Sequence, residues 1–240
     1  MRWVILASSL LFIAEPAGAE ITARTPDIGI ASPKAYELLE VVSPSDELQR
    51  QLVQNFQKSF NQGLENDPKI LTLEKRKPGL IASIETTVAA QLKIVAPAEV
   101  VRLQNVLAAA YQQLLTEEDM DVAIAFFKSP AGKRAADKMK AGGQEAIDSM
   151  RQNGSLGQDL SKSMNKAVDS ASTAGLEGLS AEDSAAFVEF SKQPASYKLI
   201  VARSQILAVA TAEAQAMTQR IAEKIGPQLA SAMQRHMTSK

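Results

Sequence analysis

A stretch of this chain occurs twice, with the second copy sixty-four positions after the first and no gap in the alignment. In each copy a threonine or serine comes three residues before an aspartate, and a phenylalanine, a lysine and a Pro-Ala pair follow at the same spacing. Because these residues coincide in structural role, the pattern predicts two related halves. The positions that define the motif are Leu115, Thr116, Asp119, Phe126, Phe127, Ser129, Pro130 and Gly132 in the first copy, and Leu179, Ser180, Asp183, Phe190 and Pro194 in the second.

Each copy predicts a helix, a tight corner and a second helix. Thr116 and Ser180 are good N-cap residues, and an aspartate three positions on is typical of a capping box in which Asp replaces the usual Glu or Gln. A proline disfavours helical geometry in the residue before it but suits the first turn of a new helix, so the corners fall at Pro130 and Pro194. Small residues after the first corner, Gly132 among them, would let the new helix approach its partner closely. Capping and the helix dipole explain the acidic residues better than a catalytic pair or a cation site does.

The other segments also favour helices. Ser32-Pro33 and Ser43-Pro44 place a cap residue before a proline, as at helix starts. Apolar residues recur at intervals of three or four, without sustained strand alternation. The predicted fold is all-α, a multi-helix bundle with an internal duplication of a helix, proline corner and helix. Its predicted divisions are a signal peptide at 1–19, an extended tether at 20–31, N-terminal helices at 32–96, a first helical repeat at 97–175 and a second helical repeat at 176–240.

Two internal prolines are predicted to interrupt helices. Pro97 would start a new helix, and Gly226-Pro227 would end a long helix that begins after the second corner. Between the two copies, apolar residues at every fourth position from Leu156 to Val168 predict a weak amphipathic helix. The long helix carries a nearly continuous apolar seam, which predicts a central packing element: Leu199, Ile206, Ala210, Ala214, Met217, Ile221 and Ile225.

The N-terminus has the features of an export signal. Arg2 precedes an apolar segment, Trp3 to Ile13, that is shorter than the roughly 20 residues needed to span a bilayer. Ala17-Gly18-Ala19 gives the small-x-small pattern of a cleavage site. We expect cleavage after Ala19 and a periplasmic or secreted protein of a Gram-negative-type envelope, with no stable membrane insertion. No cysteine occurs in the chain, which excludes disulfides, a lipoprotein anchor, a thiol nucleophile and thiolate metal sites.

The first copy resembles a known bacterial family. Leu115-Thr116-Glu117-Glu118, Ala125-Phe126-Phe127 and Ser129-Pro130-Ala131-Gly132-Lys133 are together similar to the signature of domain-of-unknown-function family 2059, over residues 100–150. The resemblance implies a helical fold and an envelope location, and it implies no reaction. The second copy departs from the signature, with Gln193 in place of the serine and Ser196 in place of the glycine. A second family domain is therefore inferred from spacing.

Charge and motifs argue against several classes of function. The formal net charge is -1, so the chain lacks the one-signed field of a nucleic-acid binder. The sole histidine, His236, has no cysteine to activate and no second histidine with which to share a metal. No Gly-x-Ser-x-Gly elbow, phosphate-binding glycine loop or dinucleotide fingerprint occurs. The sequence therefore predicts no catalytic, cofactor-binding or metal-ligating residues, and no cofactor.

Three functions remain open. The preferred one is a non-catalytic module that binds another envelope protein, or organises envelope material, through exposed apolar surface between its two halves. It is preferred because of the repeat, the export signal and the lack of site residues. Two alternatives remain, and the one ranked second is a hydrolase that uses paired carboxylates. The first alternative is a carrier or sensor of a small apolar ligand, held between helices by residues such as Phe56, Phe60, Met120, Phe127 and Met217.

Overall fold

The computed structural model describes residues 31–152 and 179–238. Within these two ranges the chain forms eight helices and no strand, so the predicted all-α class is confirmed. The signal peptide, the tether up to residue 30 and the helix predicted between the copies lie outside the described residues. The helices are α1 (Pro33–Val42), α2 (Ser45–Asn66), α3 (Pro68–Arg76), α4 (Leu80–Leu114), α5 (Glu117–Lys128), α6 (Pro130–Gln152), α7 (Ala181–Ser191) and α8 (Pro194–Thr238).

The N-terminal helices start where their caps and prolines predict. α1 begins at Pro33, and the hydroxyl of Ser32 caps it by accepting a hydrogen bond from a backbone N–H of the first turn. α2 begins at Ser45, directly after Pro44. The structure also contains a short helix that was not predicted, α3. The side chain of Asp67 caps its N-terminus. Each of these three helices contacts α4.

Two long helices form the centre of the bundle. α4 has 35 residues and α8 has 45, and the two pack against each other. α4 also contacts α1, α2 and α3, while α8 contacts α5 and α7. The pair therefore joins the N-terminal helices to the two repeated motifs. The predicted seam of α8 is buried along its whole length, from Leu199 to Ile225.

By length and composition, α4 is the one helix among the described residues that could cross a membrane. In this fold it packs against α1, α2, α3 and α8. It also buries Glu99 in ion pairs with α8. These contacts bury one part of α4, and 28% of the residues in its most apolar 18-residue window are buried.

The internal prolines do not break their helices, so those two predictions are wrong. α4 continues through Pro97 and α8 continues through Pro227. A proline inside a helix costs about 3 kcal/mol. In α4 the buried residues on both sides of the proline, Ala96 and Val100, keep the helix packed against its neighbours, which offsets that cost. In α8 the preceding Gly226 has no Cβ to clash with the proline ring. The division predicted between residues 96 and 97 consequently falls inside a helix.

The repeated motifs form two units that touch each other. We call α5, the Pro130 corner and α6 the first corner unit, and α7, the Pro194 corner and the beginning of α8 the second corner unit. α5 packs against α8, and α6 packs against α7. The first helix of each unit therefore contacts the second helix of the other.

Candidate functional site at the junction of the corner units

The first corner unit starts with a complete capping box. Thr116 Oγ1 accepts a hydrogen bond from the backbone N–H of Asp119 at 3.2 Å. In return, the Asp119 carboxylate accepts from the backbone N–H of Thr116 at 2.9 Å and from its hydroxyl at 2.7 Å. Leu115, just before the cap, is buried. The cap therefore fixes where α5 begins and anchors the residue before it in the core.

The corner at Pro130 brings the backbones of α5 and α6 into contact. Ser129 lies between the two helices in an extended conformation, and its Oγ accepts a hydrogen bond from the backbone N–H of Gly132 at 3.0 Å. A Cβ placed on Gly132 would lie 2.0 Å from the carbonyl oxygen of Phe126. The close approach therefore requires glycine at this position.

We expect Gly132→Ala to lower the free energy of unfolding by about 2 kcal/mol, because the added methyl group must push α6 away from the last turn of α5. Gly63→Ala is the matched control, since a Cβ on Gly63 within α2 meets no atom within 4 Å. Alanine's helix propensity should then stabilise the control by roughly 0.5–1 kcal/mol. Urea unfolding followed by circular dichroism measures both. Equal effects of the two substitutions would contradict this account of the corner.

The second corner unit repeats the first half of the cap. Ser180 Oγ accepts a hydrogen bond from the backbone N–H of Asp183 at 3.0 Å, as Thr116 does in the first unit. Leu179, before the cap, is half-buried. The Asp183 carboxylate itself is held by Arg134 of the first unit. Asp183 therefore takes part in the cap of its own helix through its backbone and in the contact between the units through its carboxylate.

The second corner is less tight than the first. α7 ends at Ser191 and α8 begins at Pro194, so two residues separate the helices where only Ser129 does so in the first unit. Ser196 occupies the position of Gly132 and is buried. The wider corner accommodates its Cβ.

Two ion pairs cross the junction in opposite directions. Lys198 of the second unit places its Nζ 2.6 Å from Oδ2 of Asp119. Arg134 of the first unit donates to the Asp183 carboxylate from Nε at 2.8 Å and from a terminal guanidinium nitrogen at 2.5 Å. Arg134 and Lys198 are sixty-four positions apart, as the two aspartates are. We call these contacts the crossed pairs.

Both aspartates of the crossed pairs are held in the ionised form. Burial raises the pKa of Asp119, but the hydrogen bonds from Lys198 and Thr116 outweigh it and keep the pKa below its ordinary value of 3.8. Hydrogen bonds from Arg134 keep the pKa of Asp183 below the same value, against the opposing effect of burial. A general acid needs a raised pKa, so these carboxylates suit charge-assisted contacts and not proton donation.

The two equivalent phenylalanines meet at the centre of the junction. The rings of Phe126 and Phe190 stack with centroids 4.3 Å apart and planes 6° from parallel. Phe127 and Phe187 pack edge-on against Phe126, at 5.4 and 6.2 Å. Together with the crossed pairs, the stack shows contacts that are reciprocal between the units. Such reciprocity is typical of two bodies related by a twofold rotation.

A second acidic cluster lies between α4 and α8. Glu99 and Glu213 are buried, and both accept hydrogen bonds from Arg220, at 2.9 and 2.5 Å. Lys224 donates to Glu99 at 2.7 Å, and Arg102 lies 3.3 Å from Glu213. Burial raises the pKa of Glu99, but the hydrogen bonds from Lys224 and Arg220 outweigh it and lower the pKa overall. The cluster therefore joins two helices, and its cations hold Glu99 in the ionised form.

The residues considered for an apolar ligand lie in or against the packed core. Met120, Phe127 and Met217 are buried in it. Phe56 and Phe60 stack on each other at 6.2 Å and pack against its edge.

The sole histidine lies away from the junction. His236 sits beside Gly79 at the start of α4. In the described ranges no three residues among His, Asp and Glu are grouped to hold a metal ion. The histidine therefore lies at one end of the bundle, next to the start of α4.

The second corner unit exposes four large apolar side chains. Val188 on α7 is 51% exposed, and on α8 Tyr197, Ile200 and Val201 are 69%, 46% and 57% exposed. Positions 197, 200 and 201 share one side of α8, while Ser196 and Leu199 face the core. We call these four residues the open face.

Sequence reasoning missed both the crossed pairs and the open face. A signal for the first was present, because Arg134 and Lys198 are basic residues at the same position of the two copies. The open face gave no comparable signal, since apolar residues at positions 197, 200 and 201 have helical spacing whether they face the core or solvent.

The fold and its junction define an all-α protein built around two proline-cornered helical units. Residues 101–156 match the model of domain-of-unknown-function family 2059, described as an uncharacterized protein conserved in bacteria. The match covers the end of α4, α5 and α6, and the second corner unit lies outside it. No curated protein and no solved structure matches the chain.

Proposed function

We propose that this chain is a non-catalytic protein of the bacterial cell envelope that binds another protein through its second corner unit. The observation that carries this proposal is the open face. Large apolar side chains grouped on one exposed helix side, as at positions 197, 200 and 201, are costly in water and are typical of surfaces that bind a partner. The crossed pairs and the ring stack support it, because they hold this surface on a rigid body.

The envelope location is proposed from the sequence. The apolar segment that follows Arg2 and the Ala17-Gly18-Ala19 pattern support export and cleavage after Ala19. The absence of cysteine is compatible with an oxidising compartment, because such a chain has no thiol to misoxidise. N-terminal sequencing of the exported protein should recover Glu20 as the first residue.

The structure offers no specific support for the two alternatives. The side chains considered for an apolar ligand are packed against one another and the core. The buried acids Asp119, Asp183, Glu99 and Glu213 are all bound by basic side chains. We propose a structural role for these acids and duplication as the origin of the two units.

Photo-cross-linking in growing cells tests the binding function. A photoreactive amino acid at Tyr197 should give one discrete adduct with an envelope protein, whereas the same amino acid at Thr86, exposed on α4, should not. The captured protein, purified separately, should then bind the purified chain. Failure to form an adduct at Tyr197, or an identical adduct pattern at both positions, would refute the proposal.

A further inference from the structure

On the first corner unit, α1 covers an outward face of α5. Lys34 Nζ lies 2.6 Å from Oδ1 of Asp121. Lys128 Nζ lies 2.7 Å from Oε1 of Glu37. Asp121, Ile124 and Lys128 share one face of α5, because they are three and seven residues apart. α1 therefore lies along this face, with an ion pair at each end.

The corresponding face of the second unit is uncovered. The residues sixty-four positions after Asp121, Ile124 and Lys128 are Ala185, Val188 and Lys192, and all three are exposed. Ile124 is 6% exposed and Val188 51%. The two helices thus carry equivalent apolar positions, one beneath α1 and one open to solvent.

The second helix of each unit differs in its side chains and not in its cover, because Lys133 and Asp137 of α6 are exposed and Ala136 is half-buried. In the first unit, residues 133, 136 and 137 of α6 face the α1–α2 turn across a cleft of about 350 Å³. An ion pair between Lys140 and Glu47 joins α6 to α2 beside it. The equivalents of residues 133, 136 and 137 in the second unit are Tyr197, Ile200 and Val201 of the open face. In the first unit α1 therefore packs on α5, and the α1–α2 turn borders α6 across the cleft.

We propose that the open face and Lys192 form the docking site for an amphipathic helix of a partner protein, which lies along α7 as α1 lies along α5. This inference rests on the proposed binding function and specifies its surface and its partner. The partner helix has about three turns. Its apolar residues follow the spacing of Ala35, Leu38, Leu39 and Val42, the buried residues of α1.

Charge complementarity fixes one further feature of the partner helix. Lys192 takes the place of Lys128, which pairs with Glu37 of α1. Its present pairing with Glu189 at 3.0 Å is exposed and contributes little to stability. The partner therefore carries an acidic residue where α1 carries Glu37. The α1 helix of a second copy is not the occupant, since its apolar face is already buried in its own chain.

A peptide with the sequence of residues 31–44, stapled at solvent-facing positions to hold it helical, serves as the probe. Added in fluorescent form to the full chain, it should bind saturably in an anisotropy titration. Ile200→Asp and Val188→Asp should each weaken binding at least about tenfold, since each places a charge under the apolar stripe. Ile94→Asp, at an exposed apolar position on α4, should leave binding unchanged. Circular dichroism of each variant confirms that it is folded.

A charge exchange locates the peptide on the second unit. Lys192→Glu should weaken binding several-fold at low salt, and a peptide with Glu37→Lys should restore it. Lys128→Glu is the matched control on the first unit and should have no effect.

Four results would overturn the inference. They are the absence of saturable binding, sensitivity to Lys128→Glu in place of Lys192→Glu, a dimer that Ile200→Asp dissociates, and photo-cross-links from position 200 to residues 153–178 of the same chain. If the peptide does not bind but a partner is captured in cells at another surface, the binding function is supported and the proposed docking site is wrong.

Discussion

Replacing Phe126 or Phe190 with alanine is expected to lower the free energy of unfolding by about 3–4 kcal/mol. Both rings are buried, and each is the stacking partner of the other at 4.3 Å. Truncating either ring removes its apolar burial and leaves a cavity between the corner units. Urea unfolding of the two single variants and of the double variant measures the effect.

The double variant tests whether the two corner units share one apolar interior or have two separate ones. Because the rings touch, the loss in the double variant should be smaller than the sum of the single losses by about 1 kcal/mol. Phe56→Ala is a chemically matched control from a stacked pair at the edge of the core, and it should cost about half as much because its ring is only half-buried. Strict additivity of the two single losses would show that the units do not depend on each other.

Replacing Arg220 with methionine is expected to cost about 3 kcal/mol at neutral pH. Methionine is apolar and similar in length, so the main change is the loss of the cation that bridges Glu99 and Glu213. Each buried carboxylate keeps a single cation, Lys224 or Arg102. The remaining pairing is too weak to offset the desolvation of two charges.

The pH dependence of this loss provides an independent check. The pKa of Glu99 is below its ordinary value of 4.5 in the folded protein, so its ion pairs stabilise the fold above that pH and are lost as the pH falls through the folded pKa. The difference between wild type and Arg220→Met should therefore be largest near pH 7 and should shrink below about pH 4. The triple variant with Glu99→Gln and Glu213→Gln should recover most of the loss. A loss that is independent of pH would show that packing, and not charge, governs this site.

Local chemistry made the helices and the corners predictable. The hydroxyls of Thr116 and Ser180 act on backbone N–H groups within one turn, so their role follows from neighbours in the sequence. The same holds for Pro130, which acts on the residue before it, and for Gly132, whose close contact is with Phe126 only six positions earlier. The all-α class followed from apolar spacing, which is also local.

Longer-range features could not be predicted in the same way. The sequence predicts helix breaks at Pro97 and Pro227 because a proline lacks the N–H that a helix interior needs. Both helices continue, since tertiary packing outweighs this local cost. The bridge from Arg220 to Glu99 joins residues 121 positions apart, and many acids and bases in the sequence would have served equally well. Exposure of Tyr197 depends on which helices cover α8, which periodicity alone does not specify.

The crossed pairs have a consequence for any polypeptide that carries a single corner unit. Such a polypeptide would hold an aspartate without its cation and a phenylalanine without its stacking ring. In this chain the second unit supplies both, and the contacts are reciprocal, as in an isologous interface. The exchange takes place within one molecule. Its two units consequently differ in their surroundings, since α1 packs on the first and the open face belongs to the second.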